Sequence, residues 1–274
     1  MSNLQPVTCP DYERPPVVET VLSVQFKNLD SLRTVHYGAL WQKFEGSFPH
    51  TEERPPLESE VERFPGTNPQ RVKISMEVGE RPPLPRLWFV NASGNELIQV
   101  QPSRFIKNWQ KAEGNEEYPR YERVIKPAFQ RDFALFEAFI VDQGFAPLVV
   151  NQCEVTYVNH IVCGEGWEAM GDVEKVFKMW RVPPDGQYPG RMEDCAFHAR
   201  YPITEADGVV VGRLHVDIRP ARRLQDNQPM YVMSLTARGL LGSGTEFLDL
   251  GHKWIVHSFR TLTTDHMHHI WGEK

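Results

Sequence analysis

The chain has 274 residues, 41% hydrophobic and 24% charged, enough apolar material for one large domain or two of ordinary size. Thirty Lys and Arg stand against thirty-six Asp and Glu, a net charge of −6, which argues against general nucleic-acid binding and leaves room only for a local basic patch. The longest apolar runs, PLVV (147–150) and GVVVG (208–212), are too short to span a bilayer, and the opening MSNLQPVTCPDYERPP lacks the apolar core of a signal peptide, so no membrane partner and a cytoplasmic location are expected.

Taken in chain order, VVETVLSVQF (17–26) alternates apolar and polar residues and predicts a strand with one wet face. HYGALWQKFEGSFP (36–49) sets Tyr37, Leu40, Trp41 and Phe44 at helical spacing. Residues 51–70 are polar and proline-rich and read as a loop, followed by a strand over 71–78. RLWFVNA and ELIQVQPSRF form the arms of a hairpin turning at Ser93-Gly94-Asn95. A long helix over 121–144 carries Phe129, Phe133, Phe136 and Ile140 at steps of three and four, with Gly144 as its stop. The order then repeats: a strand (151–162), a short helix (172–180), three strands (194–203, 209–221 and 229–240), and a final helix over 247–272 that Gly251 or Thr261 to Thr264 bends or divides. Ser243 or Thr245 is the expected N-cap of that helix.

Both halves therefore read β-α-β-β-β-α, with residues 1–146 and 147–274 as two parts of one compact unit. The predicted class is α+β, antiparallel sheets each covered by helices, and the arrangement resembles a doubled TATA-binding-protein-like unit. The pattern repeats but the residues do not. Cys9, Cys153, Cys163 and Cys195 lack paired C-x-x-C spacing and read as free thiols, and no cofactor is expected.

Five motifs stand in order along the chain: RPPVVE (14–19), RFIKNW (104–109), YPRY (118–121), VTYVNH (155–160) and the terminal SFRTLTTDHMHHIWG (258–272). Together they resemble a sporadically distributed bacterial family with no assigned activity. Thr156 stands where many of its members have Arg before the Tyr of the middle strand. The resemblance implies a unit of two similar halves, no reaction, and a place among mobile or defence gene sets.

Four clusters are candidates for chemistry. Arg104 and Asn108 in RFIKNW share one side if the strand turns helical there; a structural clasp closing the hairpin is the preferred reading, an anion or base-edge site the other. Tyr157 and Asn159 lie on one strand face and would converge with His198, Arg213 and His215 on a concave sheet surface, the best candidate for a ligand. Arg213, Arg219, Arg222 and Arg223 make a basic stretch fit for phosphate or an acidic partner, or a charged rim. Asp265, His266 and His269 share a helical face and could hold a metal; a histidine-rich helix end suited to the helix dipole is the plainer reading. P-loop, G-x-S-x-G and zinc-deaminase signatures are missing.

The sequence thus reads as a non-catalytic binding or assembly module of a multi-component bacterial system. A homo-oligomer, a dimer first, and another protein are its expected partners. Trp88, Trp109, Trp167 and Trp180 add to this, as more tryptophan than small sheets easily hide. The alternatives are a nucleic-acid or nucleotide binder using the sheet face and the 213–223 arginines, and a metal-dependent hydrolase using His266 and His269.

Overall fold

The period-two pattern of VVETVLSVQF sends Leu22, Val24 and Phe26 to one side of a strand and Ser23 and Gln25 to the other. All five are buried, so the face predicted to be wet is covered too, as its crossing segment, described below, helps explain. The structure is a computed structural model that describes residues 9–64, 84–112, 116–180, 192–205, 207–242 and 244–274.

The first half runs β1 (Val17–Phe26), α1 (Thr34–Phe44), β2 (His50–Arg54), β3 (Arg86–Val90), β4 (Glu96–Gln101), β5 (Arg104–Gln110) and α2 (Lys126–Asp142), which a π-helical turn, Tyr121–Ile125, leads in. The second runs β6 (Val150–Val162), α3 (Val173–Val176), β7 (Phe197–Thr204), β8 (Val210–Arg222), β9 (Pro229–Gly239), α4 (Phe247–Leu262) and α5 (Asp265–Trp271). The class is α+β. The described strands form one nine-stranded antiparallel sheet in the order β2-β3-β4-β5-β1-β6-β9-β8-β7. The halves meet at β1 and β6, where Leu22 pairs with Val155 and Gln25 with Gln152.

Helices cover one face. The aromatic stripe of α2 lies on the first half, with Phe136 stacked 5.2 Å from Phe105 of β5. Each such buried Phe contributes about 2–3 kcal/mol. On the second half, Phe247 of α4 sits against Gly212 and Gly239, which are register partners on β8 and β9. A Cβ on either would collide with the Phe247 ring, so two glycines inside strands make the seat for a helix.

Several sequence expectations shift. Residues 50–54 are a strand, not part of a loop, while the strand expected over 71–78 lies outside the described residues. RFIKNW does not end a hairpin: the chain turns at Pro102-Ser103 and the motif is β5 itself, pairing with both β4 and β1. The helix expected over 172–180 shortens to four residues, and the last helix divides at Thr263-Thr264, where Thr264 caps α5 by accepting from Met267 N at 3.3 Å. The N-cap position of α4 is Glu246 rather than Thr245, and Ser243 lies outside the described residues. Trp109 and Trp167 are core residues at 7% and 0% exposure, so they are not spare surface for a partner.

Candidate functional site

The face opposite the helices carries a built polar row. Register places Gln101 beside Arg104, Arg104 beside Gln25, and Gln25 beside Gln152. One step along, Glu154 pairs with Arg238 and Arg238 with Arg213. Six adjacent strands, from β4 to β8, thus point polar side chains to one line. An extended segment after β2, residues 57–62, crosses them in order like a strap.

The strap is held by its main chain. Gln101 accepts from Leu57 N at 2.9 Å and donates to Leu57 O at 3.0 Å. Arg104 donates to Glu58 O at 3.3 Å. Gln25 donates to Glu60 O at 3.1 Å and accepts from the Ser59 hydroxyl at 3.2 Å. Gln152 donates to Glu60 O at 2.7 Å and accepts from Glu62 N at 2.8 Å. An amide side chain offers a donor and an acceptor together, which suits it to the N–H and C=O of a passing backbone.

Besides the Ser59 hydroxyl, the strap side chains read by the row are two carboxylates. Glu60 takes Arg238 at 3.3 Å. Glu62 pairs with Arg213 and meets His215 Nε2 at 2.7 Å, its side chain only 7% exposed. Burial pushes the Glu62 carboxyl up; the His215 hydrogen bond and charge, with Arg213 and Arg238, outweigh it and leave it below the usual carboxylate range. Burial lowers the Arg104 guanidinium. Phe64 ends the strap under the Arg213 guanidinium, 5.0 Å from its ring centre.

Arg213 and His215 share this face, and His198 lies on it at the exposed edge, 3.5 Å from Asp217. Tyr157 and Asn159 point the other way, because a period of two puts them with Cys153 and Val155 under the helices. There Tyr157 Oη lies 2.7 Å from Tyr118 Oη and 2.9 Å from His252 Nδ1, and Asn159 donates to Met233 O at 3.1 Å. The Tyr121 ring stacks on His252 at 3.9 Å and its hydroxyl donates to Asp249. Burial drives His252 down to about 4, so it is neutral, and pushes the Tyr157 phenol up. These groups border a cavity of about 660 Å³ at the seam between the halves, lined also by Pro10, Tyr12 and Arg120. The row spends its amides and guanidinium groups on the strap, while Arg104 Nε stays without a hydrogen-bond partner among the described residues.

Asn108 is a buried clasp, as preferred, but within the sheet: it accepts from Gln99 at 2.7 Å and donates to Glu19 at 2.6 Å. It shares the face of Arg104 through strand alternation, with no helical turn. Arg219 and Arg222 do not join Arg213. Six strand residues set Arg219 roughly 20 Å away from Arg213, and Arg222 points to the other face, holding Asn227 O in the β8–β9 turn. The terminal histidines scatter: His266 meets Gly166 O at 2.7 Å, buried His268 meets Thr263 at 2.8 Å, and His269 is exposed. Among the described residues no group of three His, Cys, Asp or Glu side chains is placed to hold a metal ion. None of the described helices is long and apolar enough to cross a membrane.

The motifs meet in pairs: Glu19 of RPPVVE with Asn108 of RFIKNW, and Tyr118 of YPRY with Tyr157 of VTYVNH. Compared with known proteins, the chain matches no family model, no curated sequence and no solved structure. Sequence reasoning missed the strap and its glutamines. Its signal was Glu58-x-Glu60-x-Glu62 between Pro55-Pro56 and Phe64, a period-two acidic run in extended chain.

Proposed function

We propose that the chain is a non-catalytic binding module that docks a protein partner on the sheet face opposite its helices, within a multi-component assembly. The observation that carries this reading is the row across six strands holding an extended segment, four of them by its main chain and two by its carboxylates. A sheet face that grips backbone amides with Gln25, Gln101 and Gln152 has the chemistry of a peptide receptor rather than of an active site. The arginines favour protein over nucleic acid, since Arg213 and Arg238 are engaged with carboxylates.

The test is native mass spectrometry of the untagged protein purified from its own host, in wild-type form and as Ser234→Arg/Thr236→Arg, which crowds the same face beside the row. A protein that co-purifies with the wild type and is lost from the folded variant is the expected result. A complex of unchanged composition in both, or an oligonucleotide in place of the protein, refutes the reading.

A further inference from the structure

The strap fits the sheet face incompletely. Its outward side is exposed from Glu58 to Val61, so it is not woven into the core. Beside it, buried polar atoms on the same face have no hydrogen-bond partner among the described residues: Ser23 Oγ, Gln99 Oε1, Arg104 Nε and, on β3, Arg86 Nε and Trp88 Nε1. Ser23, Gln99 and Arg104 are 1%, 7% and 7% exposed. Native interiors seldom leave such groups unmet, and their clustering beside a bound peptide marks polar capacity that the resident does not use. What the resident does use is generic backbone recognition plus two carboxylates spaced by one residue.

We propose that this row is a receptor for an extended acidic segment of a different protein, carrying Glu-x-Glu, and that residues 57–62 are its resident competitor. The incoming main chain takes the positions of Leu57 to Glu62 on Gln101, Gln25 and Gln152. Its two carboxylates take those of Glu60 at Arg238 and of Glu62 at Arg213 and His215. Charge complementarity selects the occupant: Arg104, Arg213 and Arg238 line the row with Glu154, and Asp217 lies farther along the same face. Because an intramolecular segment already fills the site, apparent affinity for a partner is reduced by the fraction of time that the strap is away. The inference rests on the reading of this face as a protein-docking surface.

The probe is a labelled peptide of residues 55–64, PPLESEVERF, titrated by fluorescence polarisation against the full chain. In the chain variant Glu60→Gln/Glu62→Gln, with its strap weakened, the peptide binds at least about tenfold tighter than in the wild type. A peptide with the glutamates of positions 60 and 62 changed to glutamine loses that gain, and so does the weakened chain when Arg213→Gln or Gln152→Ala is added. Equal binding to the wild-type and weakened chains, with both giving the same circular dichroism spectrum, overturns the proposal.

If the weakened chain does not fold, hydrogen exchange of the wild type decides. Leu57 and Glu62 amides exchanging through local opening, well ahead of the β1 and β6 amides, support a displaceable strap; exchange only on global unfolding overturns it. A wild-type dimer that the peptide dissociates would assign the row to a second copy and overturn the claim of a different protein. Failure of the peptide while a co-purified partner still depends on Ser234 and Thr236 sinks this inference alone. Indifference of the partner to those positions sinks the broader reading instead.

Discussion

Lys107, a residue of RFIKNW that sequence reading passed over, holds α2 to the sheet. Its ammonium lies 2.7 Å from Asp132 on α2 and 2.7 Å from Glu96 on β4, with side-chain exposures of 6%, 4% and 32%. Asp132→Leu strands a buried cation, a change that costs about 3–5 kcal/mol where no other partner exists. Glu96 remains and can turn inward, so the lower end applies, about 3 kcal/mol. At 2–4 °C per kcal/mol for chains approaching this size, the melting temperature falls by roughly 6–12 °C. Lys107→Met alone leaves Asp132 buried with only Arg131 Nε at 2.8 Å and also destabilises. The double variant Lys107→Met/Asp132→Leu removes both charges together and returns to within about 1 kcal/mol of the wild type. Thermal and urea unfolding of all four proteins measures the coupling. If the two single losses simply add in the double variant, to within about 0.5 kcal/mol, the pair is not a unit and the reasoning fails.

Asn108→Ala strips buried Gln99 and Glu19 of a partner and lowers stability by about 1–3 kcal/mol, read from the urea midpoint; an unchanged midpoint would refute the clasp. His252 ties stability to pH. Its folded value, about 4, lies below its unfolded value near 6.5, so the unfolded chain binds the proton first. Its contribution is whole above about pH 6.5 and is lost as pH falls toward 4, by roughly 3 kcal/mol. His252→Phe flattens that part of the profile; an unaltered slope would place the titration elsewhere.

The core-facing pattern was legible because helical and strand periods are written in apolar residues. Phe129, Phe133, Phe136 and Ile140 fall on the buried side of α2, and β6, β8 and β9 begin and end within a residue or two of their expected bounds. What failed was assignment of face and reach. Tyr157 and Arg213 are both polar residues on long strands, and only register and the side chosen by the helices place them on opposite faces. Arg213 and Arg219 look clustered in sequence, but an extended chain spreads them. The strap was illegible for a related reason: a proline-rich polar stretch has no core periodicity, and its order comes from glutamines 35 to 92 residues away in sequence.

The antiparallel ladder between β1 and β6 has a consequence for how the polypeptide can be cut. Nine register pairs, from Val17–Asn159 to Phe26–Val150, zip the two halves into a single sheet, so neither half owns its central edge. A chain nicked between α2 and β6 keeps every rung and remains a two-piece protein. Either piece made alone presents a long bare strand, apolar on one side, to whatever strand it meets first, including its own copies. Truncation at mid-chain therefore yields an aggregation seed rather than a smaller working part, whereas co-expressed fragments find each other by the same rungs. The outer margins are guarded differently: β2, HTEER, is charged along its length, and β7 carries Pro202.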